Sequence, residues 1–161
     1  MADTMRWRYG ETNPVVSKPI AANTVIEIGD LVEMSTAGDV TPAGAHTWNT
    51  NLQTTQDEFQ DRFLGVAMQS SRAGDTNPIR VATSGVFEFN CASAAFEIGA
   101  LVGPAKQLGN ALESQTVVSV AGAGNEGVAI GRVTKRLSPA GTRVFVEIVS
   151  TIQRGGPQAK A

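Results

Sequence analysis

Several kinds of residue are scarce in this chain of 161 residues, and each scarcity excludes a class of protein. Cys91 is the only cysteine, so the chain cannot form an internal disulfide or a metal site built from several cysteines, and the redox state of the thiol is left open. Charged residues make up 17% of the chain, below the usual ~25%. The net charge of −2 argues against a nucleic-acid-binding protein, which usually presents a basic face.

Long apolar runs are also missing. No stretch approaches the ~20 consecutive apolar residues of a membrane-spanning helix. Arg6 and Arg8 lie near the N-terminus without an apolar run after them, so we predict no secretory signal and no membrane partner. We expect a soluble protein that works where it is made.

Residues suited to catalysis are few and isolated. His46 is the only histidine, and no acid lies at a spacing that suggests a catalytic dyad. A catalytic thiol needs a base partner, so we interpret Cys91 as a small buried or semi-buried packing residue and His46 as a solvated or packed loop residue. Asp57, Glu58 and Asp61 have the spacing of a solvated helix face. We therefore predict no enzymatic activity, no cofactor and no metal.

A glycine-rich segment fits a nucleotide-binding pattern only literally. Residues 122–127 match G-x-G-x-x-G, but residues 128–133 have the composition of a strand. The dinucleotide motif requires the N-terminus of a helix at that place, where it binds the pyrophosphate. We interpret the segment as a hairpin loop.

What is abundant predicts an all-β protein. The chain contains 17 glycines, more than the usual ~7%, and short β-prone runs alternate with turn residues at roughly ten-residue spacing. We predict a small β-barrel or sandwich with short strands and one short helix near residues 54–62, which Thr55 caps while Glu58 reaches back to it. Residues 24–152 are predicted to form a single domain, and residues 153–161 a flexible tail.

Particular runs suggest where the strands begin and end. We predict a strand in residues 24–34, and a strand that ends at Gly103 and Pro104. Residues 138–141 are predicted to form a turn before a final strand in residues 142–152, because Pro and Gly mark turns.

Three short segments recur in the same order along the chain. Residues 10–15 resemble residues 74–79, residues 26–32 resemble residues 96–102, and residues 64–67 resemble residues 130–133. Such echoes indicate an approximate internal repeat with loop insertions. Chance similarity within a glycine-rich β chain is the alternative.

The first 23 residues contain too few periodic apolar positions for a helix, and we predict an extended arm. About twenty extended residues can span ~70 Å, whereas a domain of this size has a radius of gyration near ~15 Å. Trp and Tyr beside Arg are typical of interface anchors. The alternative is that the aromatic side chains fold back onto their own core. The candidate binding residues of the arm are Met5, Arg6, Trp7, Arg8, Tyr9 and Pro14.

Five short segments together resemble the capsid cement, or decoration, proteins of tailed bacteriophages. These segments are residues 6–10, 26–32, 63–67, 85–86 and 98–102. The resemblance covers most of residues 24–150 through short motifs. It implies a β-rich homotrimer on the outer surface of the virion, which stabilises the capsid by clamping neighbouring major capsid subunits. It also implies an N-terminal arm that pairs with capsid strands by β-augmentation.

A receptor- or glycan-binding β module is the alternative function. Such a module needs an exposed stacking platform, for which Trp48 and His46 beside Asn49 and Asn51 are the candidates. The cement-protein interpretation instead predicts that the strongest anchors lie in the arm.

Overall fold

The computed structural model describes residues 6–120 and 126–153. This part of the chain forms eleven strands, one α-helix and three short 3-10 segments, which confirms the all-β prediction. The strands are β1 (Trp7–Tyr9), β2 (Val15–Ser17), β3 (Leu31–Met34), β4 (Val40–Pro42), β5 (Phe63–Ala67), β6 (Ile79–Ala82), β7 (Val86–Phe96), β8 (Leu101–Lys106), β9 (Leu112–Ser119), β10 (Gly131–Val133) and β11 (Leu137–Ile148), and the helix is α1 (Leu52–Asp61).

The strands form two sheets, and the larger one closes into a barrel. Its strand order is β1-β7-β11-β10-β8-β9, with antiparallel neighbours. An additional parallel pairing of β7 with β9 joins Cys91 to Val117, so β7 to β11 form a closed five-stranded barrel with β1 attached outside. Closure leaves these five strands without an open side.

The smaller sheet repeats this arrangement. Its order is β2-β6-β5-β3-β4. If β2 to β6 correspond in chain order to β7 to β11, this is the order β7-β11-β10-β8-β9 of the barrel. Val32 is opposite Gly65 in the first half, and Val102 is opposite Gly131 in the second. A parallel bridge between Pro19 and Val40 occupies the place of the Cys91–Val117 contact. The chain therefore contains two halves with the same topology.

The interiors of the two halves correspond as well. Side chains at alternate positions of a barrel strand point inward, and every residue of the smaller buried cluster has a buried counterpart in the larger one. The members of the smaller cluster are Ile26, Val32, Val40, Leu64, Ala67, Ile79 and Val81, and their counterparts in order are Phe96, Val102, Val117, Ile130, Val133, Val144 and Val146.

The sequence repeat is thus confirmed in two of its three segments. Residues 26–32 and 96–102 precede or enter β3 and β8, and residues 64–67 and 130–133 lie in or beside β5 and β10, which are corresponding strands. Residues 10–15 and 74–79 lead into β2 and β6, which occupy different places in the strand order. Their similarity is a resemblance between two loops.

The helix begins earlier than predicted, and its cap is different. Asn51 is the N-cap, because its Oδ1 accepts a hydrogen bond from the Thr54 N–H at 2.9 Å. Thr55 is buried inside the first turn and donates its hydroxyl to the Asn51 carbonyl. The Thr55–Glu58 capping box is therefore wrong, since both residues lie within α1, and Glu58 accepts instead from the Asn49 side chain at 2.5 Å.

Several predicted strand limits were also wrong. Only Leu31–Met34 of residues 24–34 forms a strand, because Ile26 makes an isolated bridge and Gly29 turns the chain at a φ of 98°. Residues 103–104 lie inside β8, and residues 138–141 lie inside β11. Irregular pairing of β11 with β7 around Gly141 accommodates the Pro and Gly.

The final strand ends at Ile148, and residues 151–153 form a 3-10 segment. A further 3-10 segment, Glu126–Val128, precedes β10, so the strand there is shorter than expected. The predicted hairpin loop lies mostly outside the described residues, and so does the predicted tail beyond residue 153.

Candidate interaction surface

Most of the predicted binding residues lie in or beside β1 and β2. Trp7, Arg8 and Tyr9 form β1, and Arg6 precedes this strand. Pro14 precedes β2, whereas Met5 lies outside the described residues. The described part of the arm is extended as predicted and pairs with its own domain through β1 and β2, while Trp7 and Tyr9 stay half exposed and belong to neither core cluster.

Backbone pairing holds β1 in place. Trp7 is opposite Phe87 and Tyr9 is opposite Val86, with an irregularity between the two pairs. The Glu88 N–H also donates to the Arg6 carbonyl at 2.9 Å. No strand within residues 6–120 or 126–153 lies beyond β1 in the sheet order, and such an edge can accept a strand from another chain.

Residues 15–20 lie before the predicted domain boundary at residue 23, yet they contact strands of the domain beyond it. Val15 of β2 is opposite Val81 of β6, and the Ile20 N–H donates to the Val40 carbonyl at 2.9 Å. Residues 15–20 are therefore part of the wall of the first half. Among the described residues of the arm, β1 is the only strand outside the two five-stranded arrangements.

The two aromatic side chains of β1 remain half accessible. Trp7 is 48% exposed and Tyr9 is 51% exposed. The Trp7 Nε1 donates to the Gly10 carbonyl at 3.0 Å, and the Tyr9 hydroxyl lies 3.4 Å from the Thr134 hydroxyl. These bonds orient the rings while leaving much of their area for a partner, and Trp and Tyr are enriched among the residues that dominate binding energy.

Cations gather around Phe145 of β11. The Arg8 guanidinium lies 5.5 Å from the Phe145 ring centroid, and the Lys135 ammonium lies 5.0 Å from it. Arg8 also contacts Glu88 at 2.6 Å, and Arg143 contacts the same carboxylate at 3.5 Å. We call Arg8, Lys135 and Arg143 the cationic patch.

Sequence reasoning found Arg8 but missed the other two members of the cationic patch. Lys135 and Arg143 are distant from the arm in sequence, and the pairing of β1 with β7 and of β7 with β11 brings them to it. The alternation of residues 143–148 is the signal that could have placed Arg143 and Phe145 on the face opposite Val144 and Val146.

His46 is packed, in agreement with one of the two expected settings. Its side chain is buried, and Nδ1 lies 2.8 Å from Glu33 Oε1. Nε2 lies 3.9 Å from Glu58 Oε2, and Phe59 meets the imidazole edge to face at 5.8 Å. The acids come from β3 and α1, so no short sequence spacing could reveal them.

The exposed stacking platform expected of a glycan-binding module is not formed by its four candidate residues, Trp48, His46, Asn49 and Asn51. His46 is buried, and Asn51 is used as the cap of α1. Trp48 is partly buried against the core, and the Lys106 ammonium lies 5.0 Å from its ring centroid.

A second buried acid joins the two halves. Asp30 Oδ1 accepts a hydrogen bond from Gln115 Nε2 at 2.8 Å, and Oδ2 accepts one from the Glu27 N–H at 2.9 Å. Burial raises the pKa of Asp30, against the opposing effect of these two hydrogen bonds. Among the described residues, no group of three or more His, Cys, Asp or Glu side chains is placed to hold a metal ion.

Cys91 is buried, as predicted. Its Sγ lies 3.6 Å from the Gly141 carbonyl, and burial raises the pKa of the thiol. A raised pKa disfavours the thiolate, which is the nucleophilic form. The residue therefore acts as packing between β7 and β11.

The described helix is neither long nor apolar enough to cross a membrane. Comparison of the chain with protein-family models, with curated proteins and with solved structures finds no match.

Proposed function

We propose that this protein is a structural virion protein that binds the outside of a phage head and stabilises the capsid by contacting neighbouring major capsid subunits. The observation that carries the proposal is the edge strand β1, which presents two half-exposed aromatic side chains. The resemblance to capsid cement proteins supplies the partner, and the edge strand supplies the means of attachment. The capsid subunit pairs with β1 or covers it, while β1 stays paired with β7 of its own domain.

An arm that is already paired with its own domain binds a partner differently from an arm that reaches out to the capsid. A reaching arm would order only on the capsid, whereas β1 is already paired with β7. Less conformational freedom is then lost on binding, which favours affinity. Trp7 and Tyr9 act as anchors from a fixed position.

The proposal includes a homotrimer. Three copies of β1 on one trimer would bind together, and linked binding sites raise overall affinity through effective concentration. Light scattering tests this part. The mass of a single subunit at micromolar concentration would contradict a stable free trimer.

A receptor- or glycan-binding module stays the alternative, but Trp48, His46 and Asn51 give it no exposed platform. A catalytic function has no support from His46 or Cys91, because both side chains are buried in packing contacts.

Co-sedimentation with phage heads that lack the protein tests the proposal. The truncation should remove residues 1–9 only, because residues 15–20 belong to the wall of the first half. We expect the truncated protein to fold and to bind heads far more weakly. Trp7→Ala should give a milder loss, since one anchor can contribute ~2 kcal/mol or more per subunit.

Leu108→Ala is the matched control, because Leu108 is a fully exposed apolar residue of the β8–β9 turn. It should leave binding unchanged. Circular dichroism verifies that each variant is folded. Full occupancy of heads by the truncated protein would show that another surface carries the binding and would overturn the proposal.

A further inference from the structure

We propose that the capsid surface facing the cationic patch is acidic, and that its Asp or Glu carboxylates bind Arg8 and Lys135 beside the Phe145 ring. This inference rests on the proposed function and adds the chemistry of the partner. It follows from the charges beside β1. Binding through the aromatic anchors alone would not require these charges.

The charges in the cationic patch do not cancel. Two of the three cations, Arg8 and Arg143, share one carboxylate, that of Glu88, whose side chain is only 9% exposed. The Arg8 and Arg143 side chains are 42% and 56% exposed, so the positive groups are more accessible than the negative one. The whole chain has a net charge of −2, which makes an accessible positive patch a local feature rather than a consequence of composition.

Neighbouring charges do not supply the missing negative groups. Arg136 is paired with Glu97 at 3.0 Å, and the Arg132 guanidinium donates to the Gly99 carbonyl at 3.0 Å. Within the described residues, no ion pair joins Lys135 to a carboxylate. Its ammonium is held over the Phe145 ring instead.

Two cations beside one ring form a receptive place for a carboxylate. Arg8 and Lys135 lie 5.5 and 5.0 Å from the same ring centroid, and like charges so placed repel each other. A carboxylate bound beside the ring relieves this repulsion and forms ion pairs with these cations. The Arg8 guanidinium can bind it with two parallel N–H groups.

The expected effect lies mainly in the rate of association and in the dependence on salt. Each exposed ion pair changes affinity by up to about fivefold, while complementary charges steer encounter strongly at low ionic strength. Interactions between exposed charges are screened over about 8–10 Å at physiological ionic strength. Binding to heads should therefore weaken as salt is raised.

The test compares two lysines in matched settings. Lys135 and Lys106 each place an ammonium 5.0 Å from an aromatic centroid, Lys135 over Phe145 and Lys106 over Trp48. Lys135→Glu should lower affinity for heads about tenfold and reduce the salt dependence. Lys106→Glu should leave both unchanged.

A peptide probe tests the chemistry without the phage. Fluorescence anisotropy should show binding of a labelled peptide of alternating Glu and Val, and not of the corresponding Lys–Val peptide. Lys135→Glu should abolish the binding of the acidic peptide. Binding of duplex DNA with the same dependence on Lys135, and no binding of the acidic peptide, would overturn the inference in favour of a nucleic-acid ligand.

The outcomes separate this inference from the proposed function. Head binding that is lost on removal of residues 1–9 but is insensitive to salt and to Lys135→Glu would leave the proposed function standing and overturn the acidic partner. Head binding that is insensitive to both changes would overturn both. Weakening by both changes, with Lys106→Glu silent, is the expected result.

Discussion

Gly65 and Gly131 occupy corresponding positions in the two halves, and each has the carbonyl of a neighbouring strand where a Cβ would be. A Cβ on Gly65 would lie closer than 3.0 Å to the Ala82 carbonyl oxygen, and a Cβ on Gly131 would also lie closer than 3.0 Å to the Glu147 carbonyl oxygen. Ala82 and Glu147 themselves correspond, because they are opposite Val66 and Arg132 in β5 and β10. Both halves therefore require glycine at this strand crossing.

Alanine at either glycine should destabilise the protein strongly, because a backbone carbonyl cannot move aside as the end of a side chain can. We expect Gly65→Ala and Gly131→Ala each to lower the free energy of unfolding by about 3 kcal/mol, the upper part of the range for overpacking. Urea unfolding followed by circular dichroism measures the loss. Gly127→Ala is the control, since nothing in the described part of the chain lies within 4 Å of an added Cβ there. A loss below about 1 kcal/mol in both variants would contradict the requirement for glycine at this strand crossing.

This shared glycine also explains why the repeat could be predicted from sequence. Residues 64–67 and 130–133 have to keep the same small residue and apolar pattern, because they make the same strand crossing. Residues 10–15 and 74–79 matched equally well in sequence but lead into non-corresponding strands. Short sequence similarities therefore identify a repeat only where the surrounding backbone determines which residue type can occupy a position.

Strand limits were less predictable than strand existence. Gly and Pro indicated turns at residues 103–104 and 138–141, yet both segments lie within strands. Pairing of residues 103–104 with β9, and of β11 with β7 through an irregularity near Gly141, overrode the local preference. Local propensity contains no information about such distant pairing.

The interaction surface was half predictable for the same reason. Composition alone drew attention to Trp7, Arg8 and Tyr9, because aromatic residues beside arginine are typical of binding sites. Lys135 and Arg143 join them only through the order β1-β7-β11. No short-range pattern connects residue 8 with residue 143.

Breaking the buried pair of His46 and Glu33 should destabilise the protein. Removal of one member leaves the other buried without its 2.8 Å partner, and such losses cost about 3 kcal/mol or more. We expect this effect from His46→Ala and from Glu33→Ala in urea unfolding. The double variant should cost less than the sum, because the two residues interact directly.

Glu58→Ala is the control for this pair. Glu58 lies 3.9 Å from the same imidazole, but its side chain is 43% exposed. We expect a loss below about 1 kcal/mol. Equal losses from Glu58→Ala and Glu33→Ala, or strictly additive single losses, would show that the Glu33–His46 contact is not the source of the stability.

Asp30 should make the stability of the protein depend on pH. Burial raises its pKa in the folded state, so the folded protein holds this proton more strongly than the unfolded chain does. Its contribution is fully present below pH ~4, where an ordinary aspartate titrates, and is lost as the pH rises through the raised pKa. Asp30→Asn cannot ionise but keeps an oxygen that accepts from Gln115, so this decline should disappear. Urea unfolding between about pH 3 and 7 measures both curves, with Asp75→Asn as the control for loss of one negative charge. Parallel curves for the wild-type protein and Asp30→Asn would contradict the assignment, because the decline would then come from other groups.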